Sequence, residues 1–257
     1  MVSFPDLKGK SVLVTGGASG IGLAIAREFG REGAKLFLVD ISAANLKHAV
    51  ASLKADGVEA VSHVASVTES DEVAEAFNKC DEKFGGINTL INNAGISGHI
   101  PTLEITDQQW KTILDINLTG MFNSAREAGR RMCAQGSGVI VNTSSMYGLV
   151  AAPERLGYGV TKSGAAMMTK NLAIEWADKG VRVNAIAPGY IQTALVEDLL
   201  AKGSYDLQSL QKRTPMGRLG TLQEVADAAV FLTSNRASFI TGQVLTIDGG
   251  WSSYGYI

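Results

Sequence analysis

Short runs that are apolar on both faces alternate along the chain with longer stretches whose apolar positions recur at helical spacing. Residues 11–15 form the first run. Glycines follow at 16, 17, 20 and 22, and then a helical pattern to residue 32. The next run, 35–39, has no polar face after its first residue, as a buried parallel strand requires, and it ends in Asp40. Strand, glycine turn, helix and strand are thus complete within about thirty residues, one βαβ unit. The alternation then predicts a helix over 42–55, a strand over 59–65, a helix over 70–84 and a strand over 88–92. Thr106 and Gln109 stand at capping-box spacing, and one long helix is expected from there to about residue 133. A strand over 139–143, a helix carrying Tyr158 to about 178, and a strand over 181–187 follow. Pro188 and Gly189 stop that strand. Helical pieces are expected over 191–218, around Gly203 and Pro215. Thr221 and Glu224 repeat the capping-box spacing before a helix to about 234, and 243–247 supplies a last strand.

Strict alternation of this kind implies a single α/β domain over 1–257. Its core is a Rossmann-like, doubly wound parallel sheet of about seven strands, three layers deep in α/β/α order. With no second domain to hold a ligand, the loops at the carboxyl ends of the strands are the expected site, covered by a lid over about 191–218.

Composition narrows the function classes. With 46% hydrophobic and 19% charged residues among 257, the chain reads as a globular enzyme. A net charge of -2 gives no basic footprint for nucleic acid or anionic lipid. The N-terminus has no charged segment followed by an apolar one, and no apolar run approaches membrane-spanning length, so a cytoplasmic protein is expected. Cys80 and Cys133 are the only cysteines, and no His, Cys, Asp or Glu set has metal-ligand spacing; no disulfide and no metal are expected. His48 and His63 read as solvated or packed, whereas His99 falls in a loop near the expected cleft. Trp110, Trp176 and Trp251 read as packing anchors, and the aromatic tail 251–257 should pack on its own subunit or on a neighbour's.

Three features carry candidate chemistry. On a helix, Tyr158 and Lys162 are four residues apart and share one face, where a fixed cation would lower the pKa of a phenol and let it trade protons with an alcohol. The glycines at 16, 20 and 22 do not match the Gly-x-Gly-x-x-Gly fingerprint, yet in this strand-turn-helix context they would let a pyrophosphate meet the backbone and the following helix's N-terminus. Asp40, at the end of the second strand, could accept hydrogen bonds from an adenosine ribose diol and would repel a 2'-phosphate. No Arg or Lys closely follows it and Ser19 is uncharged, which favours NAD over NADP. A helix-capping role for Asp40 is the alternative.

Together, residues 15–22, Asn92-Asn93-Ala94-Gly95, Asn117, Ser145, Tyr158 with Lys162, and Pro188-Gly189 resemble the short-chain dehydrogenases/reductases of the classical group, in order and over nearly the whole chain. The resemblance implies that Tyr158 is the catalytic acid/base. Lys162 lowers its pKa and holds the nicotinamide ribose, Ser145 hydrogen-bonds the reacting oxygen, and Asn117 holds a water that links Lys162 to solvent. Family members usually place the serine thirteen residues before the tyrosine, which selects Ser145 over Ser144. The implied NAD contacts are Gly16, Ser19, Gly20, Ile21, Gly22, Asp40, Ser66, Val67, Asn93, Ala94, Gly95, Tyr158, Lys162, Pro188, Gly189, Ile191 and Thr193. One departure stands out: an acidic residue often follows the third strand in this family, whereas here Ser66, or a backbone amide beside it, must take the adenine amino group. A homotetramer is implied as well, paired through the helices that start near Thr106 and Tyr158 and through the last helix and strand.

The expected function is an NAD-dependent dehydrogenase of a small-molecule secondary alcohol or ketone: a sugar, polyol or hydroxy acid. A 3-oxoacyl-thioester reductase is the alternative, and a cofactor-sensing protein without turnover a remote one. Glu154 and Arg155, beside the expected pocket, could meet a polyhydroxylated or acidic substrate or stand solvated in their loop.

Overall fold

The computed structural model describes residues 3–201, 203 and 205–255. Lys202 of the expected lid and Tyr256 and Ile257 of the expected tail fall outside the described residues, as does the side chain of Leu195. Seven strands form one fully parallel sheet: β1 Ser11–Thr15, β2 Lys35–Asp40, β3 Ala60–Val64, β4 Thr89–Asn92, β5 Gly138–Thr143, β6 Val181–Pro188 and β7 Val244–Ile247. Their order is β3-β2-β1-β4-β5-β6-β7. The strand order reverses between β1 and β4, and a crevice opens there at the carboxyl ends of the strands.

Helices cover both faces. On one side lie α1 Gly20–Arg31, α2 Ala43–Ala55 and α9 Leu222–Thr233. On the other lie α3 Ser70–Phe84, α5 Gly120–Gln135 and α6 Leu156–Trp176. The alternation within β1 shows why two layers are needed: Val12 and Val14 pack toward α1 and α9, and Leu13 packs toward α3 and α5, all three fully buried. Both capping boxes form, Thr106 with Gln109 and Thr221 with Glu224.

The long helix expected from Thr106 differs from its sequence reading. It runs as α4 Asp107–Leu114, a π-helical turn Asp115–Thr119, and then α5. Capping signals fix where such a helix starts, but the one-residue phase shift of an i→i+5 turn is too small a step in the apolar period to be read as a break. The lid region folds as α7 Ala194–Ala201 and α8 Leu207–Arg213, and Asp206 caps the second of these.

Candidate active site

The crevice at the switch point is a cleft of about 590 Å³. Of the residues expected to hold the cofactor, Gly16, Ser19, Gly20, Ile21, Asp40, Ser66, Val67, Asn93, Ala94, Gly95, Tyr158, Lys162 and Thr193 line it. Gly22, Pro188, Gly189 and Ile191 do not. Gly22 acts from behind: a Cβ there would lie 2.2 Å from the Gly16 carbonyl oxygen, so only glycine lets α1 close onto the turn. Pro188 ends β6 opposite Ile247, Gly189 donates its amide to the Ile247 carbonyl at 2.9 Å, and Ile191 is buried beside Gly220.

The turn fits an anionic dinucleotide. Gly20 has φ 52°, and a Cβ built on it would meet no atom within 4 Å, so it opens directly onto the cleft at the N-terminus of α1. Asn93 braces the turn, its side-chain amide donating to the carbonyls of Thr15 and Gly16 at 3.3 and 3.2 Å. The Asp40 carboxylate accepts from the amides of Ala18 at 3.3 Å and Ser42 at 3.0 Å. It does not cap α2; Ser42 does, accepting from the Asn45 amide. Among the described residues lining the cleft, the only Lys or Arg is Lys162.

At the other end stand the four residues expected to be catalytic. Lys162 is buried, and its ammonium donates to the Thr143 carbonyl at 2.8 Å. It lies 5.6 Å from the centre of the Tyr158 ring. Burial draws its pKa down to about 8. The Tyr158 phenol is pushed up by burial, against a hydrogen bond from Ser145 and the positive charge of Arg155, both of which pull it down. The ammonium is directed at a backbone carbonyl and is itself desolvated.

The adjacent serines divide their work. The Ser144 hydroxyl donates to the Lys162 carbonyl at 2.8 Å and ties β5 to α6, which leaves Ser145 to face Tyr158. Asn117 sits in the π turn, fully buried. Its Oδ1 accepts from the Ile96 amide at 2.7 Å, and its Nδ2 donates to the Ile96 carbonyl at 2.9 Å and to Thr161 Oγ1 at 3.3 Å. Its carboxamide therefore fastens the loop after β4 to α6, beside Lys162.

Several groups at the site escape a sequence reading. The Thr143 carbonyl that holds Lys162 leaves no pattern, although its place just before the serine pair at the end of β5 was a usable signal. Thr68, Ser97 and Ile116 also line the cleft. Tyr190 joins Tyr147 through their hydroxyls at 2.8 Å and stacks edge-on with Tyr205 and Trp251, at 5.5 and 5.2 Å between ring centres. The tail packs on its own subunit: the Arg213 guanidinium lies over the rings of Trp251 and Tyr254 and donates to both backbone carbonyls. His99 is exposed and pairs with Glu154 at 2.9 Å, while His48 is exposed on α2. Cys80 and Cys133 are free thiols. No group of three or more His, Cys, Asp or Glu able to hold a metal ion occurs among the described residues, and none of their helices is long and apolar enough to cross a membrane.

Comparison with known proteins gives this geometry a context. A family model described as enoyl-(acyl carrier protein) reductase matches residues 16–252. A 3-oxoacyl-(acyl-carrier-protein) reductase of Thermotoga maritima is 38% identical over 244 residues, covering 95% of this chain and 98% of that protein. A gluconate 5-dehydrogenase of Gluconobacter oxydans is 37% identical over 252 residues, with 97% and 98% covered. Among solved structures, a gluconate 5-dehydrogenase from Burkholderia cenocepacia, in complex with NADP and tartrate, superposes with a TM-score of 0.91 at 34% identity over 96% of each chain.

Proposed function

The chain belongs to the short-chain dehydrogenase/reductase family, oxidoreductases acting on CH–OH groups, and from that premise we propose that it is an NAD-dependent dehydrogenase of a sugar, polyol or hydroxy acid. The observation that carries the reading is the convergence of Ser145, Tyr158 and Lys162 at one end of a cleft whose other end is a glycine turn and Asp40. Ser19, Gly20 and Ile21 would hold the pyrophosphate, Asp40 the adenosine ribose, Ser66 and Val67 the adenine side, and Lys162 and Thr193 the nicotinamide end. When bound, the nicotinamide supplies the hydride acceptor in oxidation and the donor in reduction.

The protein's own residues handle the proton. In oxidation the Tyr158 oxygen takes the proton of the substrate hydroxyl, and in reduction it returns it. Ser145, hydrogen-bonded to the phenol, holds the reacting oxygen within reach. Acid/base help of this kind contributes roughly 10² to 10⁴ in rate. Asn117 fixes the loop that closes over Lys162, and a relay past it carries the proton to solvent.

The NAD preference rests on the Asp40 carboxylate and on the lack of a nearby cation to neutralise a 2'-phosphate. The resemblance to a 3-oxoacyl reductase supports a second reading, reduction of a 3-oxoacyl thioester. We further read 191–218 as the lid of a single domain, the protein as cytoplasmic, and its assembly as a homotetramer. Phe122 of α5 and Val160, Met167 and Ile174 of α6 are exposed apolar residues that such pairing would cover.

The test is a panel of polyols, aldoses, hydroxy acids and oxoacyl thioesters, each with NAD and NADP. The expected result is NADH formation with a polyhydroxylated or hydroxy-acid substrate, lowered at least 10²-fold in Tyr158→Phe while NADH binding persists. Wild-type turnover by Tyr158→Phe would end the assignment.

A further inference from the structure

Lys162 and Arg155 are the only buried cations among the described residues, and the chemistry above uses Arg155 only through the reach of its charge to Tyr158. Its guanidinium donates to the Gly98 carbonyl at 2.8 Å and to the Tyr205 hydroxyl, and it lies 5.6 Å from the centre of the Tyr147 ring. Both acceptors are neutral. No carboxylate among the described residues pairs with it, because the nearest in sequence, Glu154, is turned onto His99. Burying a guanidinium without an anion is unfavourable, and a chain that keeps one there pays for it elsewhere.

Arg182 shows what a purely structural arginine looks like in this chain. It donates to four backbone carbonyls, those of Leu232, Thr233, Ser234 and Ile240, which close the end of α9. Arg155 has no such cage. It stands one residue before α6 and three before Tyr158, and its charge reaches both Tyr158 and Tyr190.

The backbone at this point is strained. Glu154 has φ 61°, the only non-glycine positive φ among the described residues, a conformation that side chains with a Cβ disfavour. Three contacts to the loop after β4 hold it: the Ile100 amide to the Glu154 carbonyl at 2.9 Å, the His99–Glu154 pair, and Arg155 to Gly98. The effect is to turn the acidic side chain outward and the basic one inward. Tyr147, Tyr190 and Tyr205 surround the cation with aromatic surface, where an ion pair is screened less than in water.

Building on the dehydrogenase reading above, we propose that Arg155 is the receptor for a substrate carboxylate, and that the substrate is a hydroxy acid rather than a neutral polyol. The planar guanidinium suits a carboxylate, which replaces the Tyr205 hydroxyl as its acceptor and leaves the reacting carbinol toward Ser145 and Tyr158.

The experiment compares matched acid and neutral substrates, D-gluconate against D-glucitol and cis-4-hydroxycyclohexanecarboxylate against its methyl ester, in wild type, Arg155→Met and Arg155→Lys. Binding of each acid to the NADH complex is measured in parallel by calorimetry. Wild type should favour the acid of at least one pair. Arg155→Met should cut the acid-to-neutral ratio of kcat/KM on the order of 10²-fold, mainly through the KM of the acid, and should weaken acid binding equally. Arg155→Lys should restore part of the ratio. Equal loss on acid and neutral partners would confine Arg155 to packing or to its effect on Tyr158 and overturn the proposal, as would a wild type that binds no acid better than its neutral partner. Acids that bind through Arg155 with no alcohol oxidised would instead overturn the dehydrogenase reading and leave the carboxylate receptor standing.

Discussion

The two ends of the cleft are built on different principles. The end around Gly20 and Asp40 is made mostly of backbone: a turn, a helix N-terminus and the ends of neighbouring strands, with its turn and Asp40 drawn from the first forty residues. Beside the other end, next to Tyr158, side chains meet across the fold: Tyr147 reaches Tyr190 across 43 residues, Arg155 reaches Tyr205 across 50, and Trp251 packs on Tyr190. The difference shows where a fold stores general chemistry and where it stores a particular substrate. A backbone cradle tolerates change in most side chains, so it serves many relatives. A side-chain wall is rewritten by single substitutions, and relatives more than a third identical to this chain carry the names of different substrates.

Asp40→Ala tests the cradle end and should have the largest effect outside the catalytic residues. Losing a charged hydrogen-bond acceptor for a ribose diol should lower the NAD-to-NADP ratio of kcat/KM by roughly 10- to 100-fold, with the KM of the alcohol nearly unchanged. An unchanged ratio would detach Asp40 from cofactor choice.

Lys162 stands with Tyr158 at the catalytic end and offers a measurement on stability. Its pKa is about 8 in the folded protein against 10.5 ordinarily, so the folded state holds the proton less well than the unfolded one. The resulting penalty is fully present below pH 8 and fades as pH rises from 8 toward 10.5. Its full size is about 3 kcal/mol, partly offset by the bond to Thr143, worth about 1 kcal/mol. Lys162→Met should therefore be inactive yet more stable than wild type at pH 7, with the gap closing by pH 10.5. Denaturant titration at the two pH values reads this directly, and a variant less stable at pH 7 would contradict it.

Arg213→Ala addresses the side-chain end and should have the smallest effect. Releasing two carbonyl bonds and the stacking on Trp251 and Tyr254 should cost less than about 1 kcal/mol. It should raise the KM of the alcohol a few-fold through Tyr190 while sparing that of NAD. A change in the NAD constant instead would mean that the tail reaches the whole cleft.

The sequence was readable where the physics is local. Strands apolar on both faces and the two capping boxes depend on neighbours within a few turns, whereas Ser145 was chosen over Ser144 only through the family resemblance. It was less readable where a contact depends on the assembled sheet. That Tyr190 would touch Trp251, or that Lys162 would donate to the Thr143 carbonyl, follows from where β5, β6 and the lid come together, and no period records it. Arg155 is the intermediate case. Its sequence position marked it as a candidate, and the strain at Glu154 and the missing counter-charge appeared only in three dimensions.

The π turn between α4 and α5 has a consequence for chain length. An α-helix rotates by about 100° per residue, so a turn that accommodates one extra residue shifts the phase of everything before it relative to everything after. Ile113, four residues upstream of Asn117, packs against Gly157 next to Tyr158. Removing a single residue from 115–119 would let a regular helix form with all its backbone bonds, yet would swing Ile113 and Trp110 away from α6. In this stretch a substitution alters one contact, whereas a one-residue deletion re-aims a whole helix. Insertions and deletions should therefore be far rarer here than amino-acid exchanges in any library selected for activity.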